Sequence, residues 1–490
     1  MFEEYFAREY LILSHSFDFY HPDKPEEACG VFGVYAPGEE VSRLTYFGLH
    51  ALQHRGQESA GIAVVDDGSI ITYKDLGLIP QVFDERNLAS LKGDIAIGHV
   101  RYSTTGSPLW ENAQPIYKAY EGGSLALAHN GNLINTKELR TVLSKRGFRF
   151  RSTSDSEVIA SLIASQAGGG IENAIVEAMK QLHGAYSLVI LNENQLFAVR
   201  DPYGIRPLAI GKLKNNFVVA SETCALDIIG AKYLRDVKPG ELLTIDKDGL
   251  SSLQAVKPQK PSLCIFEFIY FARPDTKLYN RLLYSAREAA GMELAKEAPC
   301  NADMVIGVPD SGVPSAIGFS QQSRIPYREG LVKNRYVGRT FIQPTQIIRQ
   351  VGIKLKLNPL TEVISGKRIV VVDDSIVRGN TSKKLIKMLR NAGAKEVHMR
   401  VSSPPVKWPC FYGIDTADQG QLIAANNSIE GIRNFIGADS LSYLSQEGLV
   451  RSTGNAEENF CLACFNGRYP IELPDDLKLA KLMLEEEEAG

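Results

Sequence analysis

The chain has 490 residues, of which 44% are hydrophobic and 23% charged. That composition fits a globular protein of two or three domains, and no run of about 18 apolar residues is present to span a bilayer. A formal net charge of −3 argues against a nucleic-acid binder. Seven cysteines are too few for a disulfide scaffold, yet enough for one catalytic thiol and one four-thiolate site.

The charge is uneven. Residues 1–28 carry seven acidic and two basic side chains, and residues 475–490 carry six and two, so the body between them is basic. A basic body suits the handling of anionic small molecules. The acidic start lacks the basic opening and apolar core of a secretory signal. It also lacks the acid-poor character of a transit peptide, so the expected compartment is the cytoplasm.

After the polar segment 23–28, Cys29–Tyr35 alternates like a strand and ends at Pro37-Gly38. Residues 41–54 carry apolar positions at helical spacing. Short strand-like runs follow at Gly61–Val65, Ile95–Val100, Ser124–Ala128, Ser187–Leu191, Leu196–Val199 and Phe217–Ala220. Helices are predicted at 136–147, 154–166 and 171–182. This mixture reads as an α+β domain over 29–260, and the polar stretch 245–262 reads as a linker. In 261–474 the pattern changes. Met304–Ile306 and Ile369–Val372 are short apolar runs, a helix is predicted at 381–392, and Val397–Val401 is the next strand. Strand, loop, helix, strand predicts a parallel α/β sheet. Residues 475–490 read as an acidic tail.

The run Ile369-Val-Val-Val-Asp-Asp-Ser-Ile-Val-Arg-Gly-Asn-Thr381 carries the most chemistry. A buried strand delivers two carboxylates, Asp373 and Asp374, to its C-terminal end. Ser375, Ile376, Val377, Arg378, Gly379, Asn380 and Thr381 then turn into a helix. Main-chain N–H groups at such a helix start cradle phosphate. Paired carboxylates beside them suit a ribose diol or hydrated Mg²⁺. A solvated loop with an Asp cap is the bland reading of Asp-Asp alone. The full thirteen-residue pattern resembles the signature of type I phosphoribosyltransferases, which bind phosphoribosyl pyrophosphate (PRPP). Pro309-Asp-Ser-Gly-Val-Pro-Ser315 resembles the pyrophosphate loop of the same family, which implies that Ser311 joins Asp373 and Asp374 around magnesium. The segment 333–358 between these loops is basic, with Lys333, Arg335, Arg349, Lys354 and Lys356. It suits a lid over a polyphosphate, with Lys333 and Arg335 on PRPP.

Cys29 alone is a weak signal, since a free thiol is usually a small buried hydrophobe. Its companions are Gln53-His-Arg-Gly-Gln-Glu-Ser-Ala-Gly61, His99-Val-Arg-Tyr-Ser-Thr-Thr-Gly106, His129-Asn-Gly-Asn-Leu133 and Thr153-Ser-Asp-Ser-Glu157. Together they resemble class II glutamine amidotransferases of the N-terminal nucleophile type, whose domain has four αββα layers. The two resemblances, in this order, are those of the amidophosphoribosyltransferase family.

That resemblance implies a function and residue roles. Residues 1–28 are a propeptide. Its removal gives Cys29 a free α-amine, the general base for its own thiol. Asn130 and the N–H of Gly131 form the oxyanion hole. Arg101 meets the glutamine α-carboxylate, Asp155 meets its α-ammonium, and Arg55, grouped with them, orders the site. His54, His99 and His129 are read as structural. Ammonia passes internally to PRPP, displaces pyrophosphate and gives 5-phosphoribosylamine, the committed step of purine synthesis. Purine nucleotides inhibit, and the family is a homotetramer.

Cys461-Leu-Ala-Cys464 alone is open between metal, redox dithiol and chance. Spacing does not choose its partners among Cys224, Cys264, Cys300 and Cys410. The resemblance does: Cys264, Cys410, Cys461 and Cys464 match the [4Fe–4S] ligands of the iron–sulfur branch, although Zn²⁺ also accepts four thiolates. Cys224 and Cys300 are then ordinary thiols. Two alternatives stay open. One is another class II amidotransferase, such as a relative of glucosamine-6-phosphate synthase or asparagine synthetase. The other is a non-catalytic PRPP or nucleotide sensor.

Overall fold

The computed structural model describes residues 29–102, 109–334, 357–414 and 419–474. Two antiparallel sheets build the first half. One has seven strands, in the order Lys232–Asp236, Ala209–Leu213, Asn216–Ala220, Gly30–Tyr35, Ile95–Arg101, Ser59–Asp66 and Ser69–Leu76. The other has six: Gly249–Gln254, Glu241–Asp246, Leu196–Arg200, Gly184–Leu191, Gly123–Leu133 and Ile116–Tyr120.

Side-chain alternation explains the layering, because successive residues of a strand face opposite sides. In Gly30–Tyr35, Val31 joins the core between the sheets, with Ile97, Val189 and Val219. Its neighbour Phe32 packs the other way, against Leu49 and Leu52 of the helical segment after Val41. On the far face of the second sheet, Leu125 and Leu188 meet Val158 and Ile175 of the helices Asp155–Ala164 and Ile171–Met179. The result is helix, sheet, sheet, helix, as the resemblance to class II glutamine amidotransferases implies.

The region 245–262 is a correction. It is not a linker throughout, because Gly249–Gln254 is an edge strand paired along its length with Glu241–Asp246. Its exposed polar side chains hide it from a pattern reading. The chain then stays on the first domain: Gln259 and Ser262 donate main-chain hydrogen bonds to the carbonyls of Pro202 and Tyr203.

In the second half, Met304–Gly307, Arg368–Asp373, Glu396–Val401 and Ser440–Tyr443 form a parallel four-stranded sheet. Parallel strands buried on both faces read as continuous apolar runs. Here Ile306 and Val371 face one core, and Val305, Val370 and Val372 face the other. The helix Asn380–Asn391 covers one side with Leu385, Ile386 and Leu389. The ends of the basic segment pair as Leu331–Lys333 with Leu357–Pro359. Residues 335–356, with Arg335, Arg349, Lys354 and Lys356, lie outside the described residues. So do the 1–28 leader and the 475–490 tail. Among the described residues, no helix is long and apolar enough to cross a membrane.

Candidate active sites and their common wall

Cys29 is buried where Gly30–Tyr35 begins, beside Arg101, because Gly30 pairs with Val100 across the ladder. Its Sγ lies 3.6 Å from the Tyr102 carbonyl. Burial pushes the thiol up to about 12, against the pull of Arg101. The resting group is therefore a neutral thiol that needs a base.

Arg55 lies beneath it, fully buried, with Nε donating to the Cys29 carbonyl at 3.3 Å. Its two terminal nitrogens bind Glu222 and Glu267. His54 also meets Glu222, at 2.7 Å. Burial raises Glu222, but His54 and Arg55 outweigh it and hold that carboxyl far below the usual range.

Asn130 and Gly131 come from the facing sheet. Ser221 joins them to the thiol strand: its hydroxyl accepts from Val31 N at 3.0 Å and lies 3.4 Å from Asn130 Nδ2. On the other side, Arg206 Nε donates to Asn130 Oδ1 at 3.3 Å. Gly131 has φ +150°, and a Cβ there would fall 2.0 Å from the Ala185 carbonyl oxygen, so no other residue fits.

Arg101 is buried and lies 3.5 Å from Glu58. Asp155 opens its helix behind the cap residue Ser154, and its Oδ2 accepts from Leu133 N at 3.0 Å. Burial raises Asp155, but the neighbouring His129 and these hydrogen bonds bring its carboxyl below the ordinary value. His99 is buried, reaches the His129 carbonyl at 3.0 Å and is pushed down to about 3 by burial. Each of the three histidines meets a buried polar group: His54 meets Glu222, His99 the His129 carbonyl, and His129 Asp155.

Asp373 and Asp374 sit at the C-terminal end of their strand, where ligands of open parallel sheets bind. Asp373 accepts from Asp374 N at 2.9 Å, and Asp374 accepts from the hydroxyls of Ser375 (2.6 Å) and Ser311. Ile376 and Val377 are buried, and Ile423 N donates to the Val377 carbonyl. Arg378 binds Gln421 at 3.0 Å. Gly379 caps the helix that starts with Asn380 and Thr381. Lys333 pairs with Asp310.

Cys264 and Cys461 are register partners in a parallel pair of two-residue strands. Lys407 N and Trp408 N both donate to the Cys464 carbonyl, and Tyr412 N donates to Cys410 Sγ at 3.3 Å. Burial pushes Cys264 up to about 12, and it also drives Cys461 and Cys464 upward. Neighbouring cysteines of the same four add to each shift. Among the described residues, no three His, Cys, Asp or Glu side chains are set to hold a metal ion.

The sequence reading missed the wall between the two halves. Glu267 of the second half binds Arg55 and Arg206 of the first. The Phe411 carbonyl accepts from Asn132 Nδ2 at 3.0 Å, and Gly413 packs on the main chain of Gly131. A lone acid inside the apolar run Ile265–Phe271 was the available signal for Glu267.

The fold and the two sites define a glutamine amidotransferase joined to a phosphoribosyltransferase. Residues 99–227 match the glutamine amidotransferase domain family and residues 278–403 the phosphoribosyl transferase domain family. The chain is 57% identical over 470 residues to the amidophosphoribosyltransferase of Synechococcus elongatus, with 95% of each chain covered. It is 53% identical over 473 residues to that of Mycobacterium leprae, covering 94% of this chain and 85% of the relative. A solved glutamine PRPP amidotransferase from B. subtilis, complexed with ADP and GMP, superimposes with a TM-score of 0.87 at 48% identity. That match covers 91% of this chain and 98% of the other. The chain belongs to the amidophosphoribosyltransferase family, enzymes of purine biosynthesis that are glycosyltransferases with glutamine amidotransferase activity.

Proposed function

We propose that glutamine is hydrolysed at Cys29 and that the ammonia released displaces pyrophosphate from PRPP at Asp373–Thr381, giving 5-phosphoribosylamine and glutamate. The observation that carries this reading is a buried thiol heading a strand that Ser221 joins to Asn130, in one chain with a paired-carboxylate strand end. The domain division is 29–260 for the glutaminase and 261–474 for the phosphoribosyltransferase.

Residues 1–28 are a propeptide in this reading. Cutting the Ala28–Cys29 bond frees an α-amine with a reference pKa near 8, well placed to take the thiol proton and later return it to ammonia. The buried thiol, pushed up to about 12, stays protonated until that amine acts. The thiolate attacks the carboxamide to form a thioester. Asn130 Nδ2 and Gly131 N–H stabilise the oxyanion that develops on the way, a contribution of several kcal/mol per donor in comparable sites. Arg101 and Asp155 hold the α-carboxylate and α-ammonium.

In the second half, Ser375–Thr381 hold the 5′-phosphate, and Asp373 and Asp374 hold the ribose hydroxyls. Ser311, Asp373 and Asp374 form an oxygen set suited to Mg²⁺, which supplies charge neutralisation on the pyrophosphate. Lys333 and Arg335 belong to a lid over PRPP. Purine nucleotides compete at these same phosphate loops. Cys264, Cys410, Cys461 and Cys464 would hold a [4Fe–4S] cluster: Cys264 and Cys461 are register partners, and the main-chain hydrogen bonds of Lys407 and Trp408 tie the segment before Cys410 to Cys464. The enzyme works as a cytoplasmic homotetramer.

Two measurements test this. Pyrophosphate release from PRPP is expected to depend on glutamine and to vanish in Cys29→Ala. The intact mass of anaerobically purified protein is expected to lack the first 28 residues and to include four irons and four sulfides. A full-length, iron-free active protein overturns the processed-cluster reading.

A further inference from the structure

We propose that Glu267, contributed by the phosphoribosyltransferase half, is a positioning residue for glutamine hydrolysis in the other half. The inference rests on the assignment of Cys29 and Asn130 above. Glu267 Oε1 and Oε2 accept from Arg55 at 2.7 and 3.0 Å, and Oε1 lies 2.9 Å from Arg206 Nη2. All three side chains have no exposed surface. One carboxylate therefore holds two guanidiniums that each also donate to a residue of the glutaminase site. Arg55 Nε donates to the Cys29 carbonyl, and Arg206 Nε donates to Asn130 Oδ1.

The second contact decides which way the Asn130 amide faces. A cationic donor beside Oδ1 excludes the flipped amide, which would set NH₂ against N–H. Nδ2 is then the end left for the oxyanion. Arg206 lacks a well-aligned hydrogen bond at either terminal nitrogen, so its pairing with Glu267 is what neutralises it. Glu267 also follows Cys264, whose N–H donates at 3.0 Å to the carbonyl of Ile205, next to Arg206. The arm that delivers Glu267 is thus fixed on both sides of the carboxylate's reach.

The test is steady-state glutamine hydrolysis by the full chain carrying Glu267→Gln. Its kcat is expected to fall about 10- to 100-fold, while KM for glutamine stays within about twofold, because the groups for the α-substituents are untouched. An aldehyde analogue of glutamine adds to the thiol and places an oxyanion in the hole. Its inhibition is expected to weaken by the same factor as kcat/KM, whereas binding of norvaline, whose chain ends in a methyl group and places no oxygen in the hole, is unchanged. Glu267→Asp keeps the charge and is expected to recover part of kcat.

Should Glu267→Gln not fold, the double variant Glu267→Gln with Arg206→Met removes the unpaired cation and is expected to fold with kcat still low. A folded Glu267 variant with wild-type kcat overturns the inference. So does equal weakening of aldehyde and norvaline, or a double variant that fails to fold. Glutamine hydrolysis surviving in Cys29→Ser overturns the site assignment as well.

Discussion

Gly413 reaches across from the phosphoribosyltransferase half to the oxyanion residue, and Gly413→Ala tests whether that contact matters. Gly413 has φ +100°, and a Cβ built there lies 2.9 Å from Gly131 C and 3.1 Å from Gly131 Cα and O. Ordinary carbon contacts begin near about 3.4 Å, so the two main chains must part by about 0.5 Å. Gly131 cannot retreat far, since it is paired in register with Tyr186 and crowds the Ala185 carbonyl. A side chain at positive φ adds about 1–2 kcal/mol of strain. Together these effects are expected to lower Tm by a few degrees and to shift the Gly131 N–H off its aim. A misplaced oxyanion donor worth about 1.4 kcal/mol lowers kcat for glutamine hydrolysis about tenfold. Conversion of PRPP with free ammonia, measured on the same preparation as pyrophosphate release, is expected to stay within about twofold. Parallel loss of both activities, or loss of neither, refutes the reasoning.

Asp374→Asn removes one charge from the strand end and is expected to raise KM for PRPP at least about tenfold while glutamine binding to the other half stays unchanged; isothermal titration with each substrate separates the two. Cys264→Ser is expected to leave anaerobically purified protein without stoichiometric iron and sulfide, read by metal analysis and visible absorption; full iron content refutes its place in the ligand set. The stability of the chain is expected to fall as pH drops below about 6.5 through His99. The unfolded imidazole takes up a proton there, whereas the buried one resists until about pH 3, so the unfolded state binds more protons in between. That slope approaches about 1.4 kcal/mol per pH unit and is expected to be missing from His99→Gln, so that it appears in the difference between wild type and variant; stabilities from urea melts that change equally in the two proteins between pH 6.5 and 5 refute it.

How far the sequence reaches depends on burial and distance. Asp373 and Asp374 are legible because the apolar run 369–372 must be a buried strand, and charges at its end must stand at the sheet's carboxyl edge. Cys29 is legible only through its companion motifs, since a buried thiol before a glycine looks like core. The strands Ser69–Leu76 and Gly249–Gln254 escape the reading because they lie at sheet edges, where no side chain is fully buried and no clear apolar alternation is needed. The Arg55 network escapes for another reason. Its carboxylates lie 167 and 212 residues away, and no local pattern marks a pairing over such separations. A buried charge is visible in sequence only as an acid or base out of place, and its partner is not visible at all.

The cysteine region gains meaning from what its arms touch. One arm runs from Cys264 to Glu267 and ends on Arg55 and Arg206. Another runs from Cys410 to Gly413 and ends on Asn132 and Gly131. The Cys461–Cys464 turn joins both, through the Leu263–Cys264 pairing and through the hydrogen bonds of Lys407 and Trp408 to the Cys464 carbonyl. A group bridging the four thiols would therefore fix, at one point, two arms whose tips touch Arg55, Arg206, Asn132 and Gly131. Such a tie involves no electron transfer. It limits the freedom of arms that otherwise rely on two-residue strands, too short to hold register alone. In the proposed mechanism the carboxamide of Asn130 and the N–H of Gly131 need aim within a fraction of an ångström, so such a crosspiece behind them would serve the glutaminase even though it would sit in the other half of the chain.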